Sequence, residues 1–126
     1  MKLNLLKCVK VYDAIAEIEN QPTDFSTAHS LVMAKRQLEP NVQFYSKAEW
    51  ELAKKYGKRG EDGKVVVDGN RFQVPPEFAA EYRQKLHELN EVVADVNRYT
   101  IAPPLNVKPS TLEILMEIFD FKEDNV

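Results

Sequence analysis

One cysteine, one tryptophan, two histidines and four glycines are all that 126 residues carry of the rarer side chains. The lone thiol, Cys8, has no intrachain partner, so packing rather than a disulfide must hold the fold, and a reducing compartment suits it. Gly57, Gly60, Gly63 and Gly69 all fall in stop and turn signals, which leaves no glycine-rich cradle for phosphate. His29 and His87 stand far apart, no HExxH or paired-cysteine spacing exists, and no metal or cofactor is expected. Runs of about eighteen uncharged apolar residues are missing, and Lys7, Lys10 and Asp13 interrupt the apolar start of the chain. Neither a membrane span nor a secretion signal is expected, and the reading is cytoplasmic. Excess charge is missing too: 17 Lys and Arg against 20 Asp and Glu give −3, which offers no whole-chain attraction to nucleic acid or anionic lipid.

What is present is ordinary globular material, 44% hydrophobic and 29% charged, of a length that suits a single domain over 1–126. Leu5, Cys8, Val9, Tyr12, Ile15 and Ala16 recur at helical spacing behind Asn4, the expected cap, and predict a first helix over 4–19 with one buried stripe. Gln21-Pro22-Thr23 breaks the phase, and Thr23 is the expected cap of the next helix, with Asp24 suiting its positive end. From there Leu31, Ala34, Leu38, Val42, Tyr45, Ala48, Leu52 and Tyr56 keep phase straight across Pro40. Proline argues for a kink or break, and Ser46-Lys47-Ala48-Glu49 has capping-box form, but the unbroken phase favours one rod over 24–57, stopped at Gly57.

Lys64 to Val67 and Arg71 to Val74, joined by Asp68-Gly69-Asn70, read as a hairpin. Pro75-Pro76-Glu77 suits a helix entry, and Phe78, Tyr82, Leu86 and Leu89 predict a third helix over 76–90. Val92 to Ile101 is rich in β-branched and aromatic types and is assigned as strand, although Val93 and Val96 extend the helical phase. Ser110 to Glu113 has capping-box form for a short last helix with Leu112, Leu115, Met116 and Phe119 inward, and the tail from Lys122 to Val126 is expected to fray. The expected fold is a mostly helical α+β domain with a long helix and a small antiparallel sheet containing the hairpin.

This order of elements, with Lys54-Lys55-Tyr56-Gly57 closing the long helix, the Glu61-Asp62-Gly63-Lys64 and Gly69-Asn70 turns and a Glu91-Val92 strand start, resembles an uncharacterised family of small proteins. That family is encoded by phages and prophages of Gram-positive bacteria. The resemblance implies a phage or prophage context and carries no functional residue across.

Four patterns offer chemistry. Lys54, Lys55, Lys58 and Arg59 surround Tyr56, a grouping that can meet phosphates while the ring stacks on a base; the helix dipole and the core phase of Tyr56 account for the same residues without a ligand. His87 and Glu91 lie four apart without a third ligand, and Cys8 sits in an apolar stripe without a histidine. No convergent acid, base and nucleophile can be named, so a non-enzymatic role is expected. Phe44 and Trp50 remain: if the Leu31 to Leu52 stripe faces the core, both aromatics fall on other sides of the rod and call for a second layer or a partner. A surface for a phage or host protein, or for a second copy, is the leading expectation, with nucleic-acid binding through 54–59 the alternative.

Overall fold

The computed structural model of the chain describes residues 1–68 and 71–122. The Gly69-Asn70 turn and most of the expected frayed tail lie outside these residues. A short strand, β1 (Lys2–Asn4), runs directly into α1 (Leu5–Ile18), whose cap is Asn4; its side chain accepts from the Lys7 amide at 2.8 Å. The second helix, α2 (Phe25–Tyr56), is capped by Asp24, which accepts from the Thr27 amide. Asp24 thus takes the place expected for Thr23, because a carboxylate both accepts the orphan amide and complements the helix dipole.

α2 is one rod of 32 residues, about 48 Å at 1.5 Å per residue, and it passes through Pro40 without interruption. Pro40 and Arg36 are both on the exposed side, so water can reach the Arg36 carbonyl that loses its partner. Gly57 ends the helix because the chain doubles back against it: a Cβ there would press on the Ala53 carbonyl and come within 2.8 Å of Val65 Cγ1. The returning segment forms β2 (Val67–Asp68) and β3 (Arg71–Phe72), an antiparallel pair shorter than the sequence suggests. Val65 pairs instead with Arg59, and the Val66 amide donates to the Lys58 carbonyl at 2.9 Å, so the first half of the expected strand is tied to the helix exit.

A turn of 3-10 helix (Pro76–Phe78) leads into α3 (Ala79–Glu91), as the proline pair predicts. The strand assigned from Val92 to Ile101 is only half right: it divides into β4 (Val93–Asp95), antiparallel to β1, and β5 (Tyr99–Ile101), while Glu91, expected at a strand start, is the last residue of α3 and Val92 its C-cap. α4 (Pro109–Leu115) starts at its proline and has no side-chain cap, so the Ser110–Glu113 capping box is not used. The helix stops after two turns, which leaves Met116 exposed against expectation. Phe119 is buried in β6 (Phe119–Phe121), which pairs in parallel with β5. Among the described residues the sheets are therefore three separate pairs, one of them parallel, on a mostly helical α+β frame.

α1 is the centre of the molecule. It packs on α2, α3 and α4, and for that reason buries Val11, Ala14 and Ile18 beyond the single predicted stripe, while Ala16 faces out and Val9 and Tyr12 are half-buried. The main core joins these side chains to Leu31, Ala34 and Leu38 of α2 and to Ile101, Leu115, Ile118 and Phe119. A second cluster unites Leu5, Tyr45 and Leu89. Cys8 is fully buried, and burial pushes its thiol above the ordinary value, as befits core filling.

Candidate functional site

The outward side of α2 carries large apolar side chains that the two cores leave uncovered. Phe44 is 57% exposed and Trp50 45%. Six residues separate them, about 120° around a helix, so they flank an outer ridge that holds Pro40 and Lys47. Val32 and Met33 continue the two flanks toward the N-terminal end of the rod. Val32 lies about five turns before Trp50 on the same line, and Met33 lies eleven residues before Phe44, within about 20° of it. Sequence phase alone anticipated that Phe44 and Trp50 face away from the core.

Trp50 also forms one wall of a groove of about 540 Å³ between α1, the C-terminal half of α2 and the hairpin. Val9 and Asp13 come from α1, four residues apart and hence on one face; Val42, Ser46 and Glu49 come from α2. Val67 and Phe72, directly opposite each other across the hairpin, close the third side because paired residues on a sheet share a face. No base lines this groove, and among the described residues neither Asp13 nor Glu49 has a hydrogen-bonding or ion-pair partner. Burial raises the Tyr45 and Tyr82 phenols, and the Glu49 carboxylate adds to the rise in both. The helical residues of the groove are legible as i, i+4 neighbours, but nothing in the sequence says that the hairpin folds over them.

The basic segment is largely occupied by internal contacts. Arg59 donates to the Lys54 carbonyl and, at 2.9 Å, to the Gly63 carbonyl, clamping the loop after Gly57 to the end of α2. Lys54 is 3.2 Å from Glu51 and lies 5.9 Å from the centre of the Trp50 ring. Lys55 lies 5.2 Å from the ring centre of Tyr56. Tyr56 itself is only 3% exposed, enclosed by Phe78 and Tyr82 at 6.3 and 6.2 Å, with Phe72 edge-on to Tyr82 at 5.6 Å. Its ring is therefore inside, as its phase requires, and is not presented for stacking on a base. Lys58 is exposed beside Arg71 and Asp68 along a second cleft.

His87 and Glu91 both lie on the exposed side of α3, and among the described residues no group of three or more His, Cys, Asp and Glu side chains is placed to hold a metal. No helix among them is long and apolar enough to cross a membrane. No family model, curated protein or solved structure matches the chain.

Proposed function

We propose that this chain is a non-enzymatic accessory protein of a phage or prophage, working in the cytoplasm through contact with a phage or host protein or with a second copy of itself. The phage context rests on the sequence resemblance stated above. The contact role rests on one observation: Phe44 and Trp50 stay about half in water, and neither belongs to the two hydrophobic clusters of the core. Burying a side chain of this size stabilises by about 1.5–3 kcal/mol, and aromatic anchors dominate the energetics of protein interfaces. With 57% of Phe44 and 45% of Trp50 still exposed, about half of that stabilisation is left for a partner.

Light scattering of the purified chain beside Phe44→Ala and Trp50→Ala tests self-association, and retention of proteins from lysogenic cells on the immobilised chain tests a foreign partner. The expected result is an assembly or a retained protein that either substitution removes. A monomer at high concentration that retains nothing beyond what the two variants retain would remove the reading. Nucleic-acid binding through Lys54, Lys55, Tyr56, Lys58 and Arg59 has weaker support, because Arg59 and Lys54 are engaged internally and the Tyr56 ring is enclosed.

A further inference from the structure

We propose that the groove between α1, α2 and the hairpin receives a basic amphipathic segment of a partner protein. A lysine or arginine head would lie between Asp13 and Glu49, and its apolar neighbours against Val9, Val42 and Trp50. This rests on the contact role proposed above and specifies the partner's chemistry. Size comes first: about 540 Å³ falls within the range of ~300–1,000 Å³ that concave binding sites occupy, and the space is open to solvent, so a chain segment can enter without a hinge opening.

Charge decides the occupant. The groove between α1 and α4 mixes Lys7 and Lys10 with Glu113 and Glu117, and the cleft beyond the hairpin mixes Lys58 and Arg71 with Asp68. Here two carboxylates line the walls without a base. Lys54, 5.9 Å from the centre of the Trp50 ring, pairs with Glu51 at 3.2 Å and is not among the residues that line the groove. A phosphate backbone or an anionic lipid surface is repelled by such a rim, whereas a cationic head gains two carboxylates, and the aliphatic stem of lysine or arginine lies well along valine and the Trp50 ring.

Trp50 is the single tryptophan of the chain and stands in the groove wall, so its emission reports occupancy directly. The experiment titrates the full chain at low ionic strength with a short capped peptide of alternating leucine and lysine, and with its leucine–glutamate counterpart. The expected result is a saturable change in Trp50 emission with the lysine peptide alone. Asp13→Asn combined with Glu49→Gln should weaken that binding about fivefold or more, the size of two partly exposed ion pairs. Glu39→Gln combined with Glu61→Gln removes the same net charge elsewhere and should leave the affinity unchanged. Both pairs are exposed and the replacements are near-isosteric, and far-ultraviolet circular dichroism confirms an intact fold before titration.

No response to the lysine peptide, an equal response to the glutamate peptide, or equal weakening by both double variants would each overturn the assignment. Phe44 lies outside the groove. Partner capture that Phe44→Ala abolishes, in a chain that ignores the peptide, would therefore overturn the groove assignment while leaving the contact role standing.

Discussion

Two tyrosines on α2 have opposite hydrogen-bonding fates. Tyr45 donates its hydroxyl to Asn90 Oδ1 at 2.6 Å, joining α2 to α3 across the second core cluster. The Tyr56 hydroxyl is buried in a ring cluster and has no partner among the described residues. A buried polar group left unsatisfied costs about 1–3 kcal/mol, whereas a paired one contributes about 1. The same substitution should therefore change sign between the sites. Tyr56→Phe is expected to raise stability by about 1 kcal/mol, and Tyr45→Phe to lower it by about the same amount, since it strands the Asn90 amide oxygen. Urea midpoints of the two variants check this, and a loss at Tyr56 equal to that at Tyr45 would mean that the Tyr56 hydroxyl is satisfied.

At the scale of elements, α2 carries its own flaw in Pro40. Proline in a helix interior costs about 3 kcal/mol relative to alanine, partly through the missing hydrogen bond to the Arg36 carbonyl. Because the rod already passes through this position and the side chain is exposed, Pro40→Ala needs no repacking. It should raise the urea midpoint by an amount equivalent to about 1–3 kcal/mol with helical circular dichroism unchanged or slightly stronger. An unchanged or lowered midpoint would show that the local geometry depends on the ring. The same helix explains what a sequence can and cannot disclose here. The phase from Leu31 to Tyr56 identified the rod because every residue in it reports on one axis and one buried side. Proline pairs at 75–76 and turn residues at 60–63 spoke through backbone restriction, which is equally local. β1 and β6 had no such voice: each is three residues long, and its partner lies elsewhere in the chain, at Val93–Asp95 and Tyr99–Ile101. The outward aromatics of the candidate site were legible from helical phase, but the groove was not, because its third wall depends on how the chain turns back at Gly57.

For the whole molecule, three aspartates hold the chain ends to the body. Lys2 is 2.8 Å from Asp95 where β1 meets β4, and the amino terminus donates to the Val96 carbonyl at 3.0 Å. At the other end, Arg98 donates to both oxygens of Asp120 and to the carbonyls of Met116, Glu117 and Phe119, fixing the turn from α4 into β6. Lys122 reaches Asp24, the cap of α2, at 3.2 Å. Each carboxyl is held below its ordinary value of 3.8: Asp24 chiefly by the Thr27 amide, then by the Thr27 side chain and less by Lys122, Asp95 by the Lys2 ammonium, and Asp120 by the Arg98 guanidinium. A carboxyl depressed in the folded state binds fewer protons there than when unfolded, so its contribution is complete above the ordinary value. That contribution disappears as pH falls through the lower, folded value. The urea midpoint should therefore be flat from neutral pH down to about 5 and fall below 3.8, with the amides of β1 and β6 losing exchange protection before those of α1 and α2. Asp24→Asn keeps a competent helix cap while removing the titrating charge, so it should lower the midpoint slightly at pH 7 and make the acid fall shallower. An acid limb as steep in Asp24→Asn, Asp95→Asn and Asp120→Asn as in the parent chain would mean that the ends are held by something other than these carboxylates.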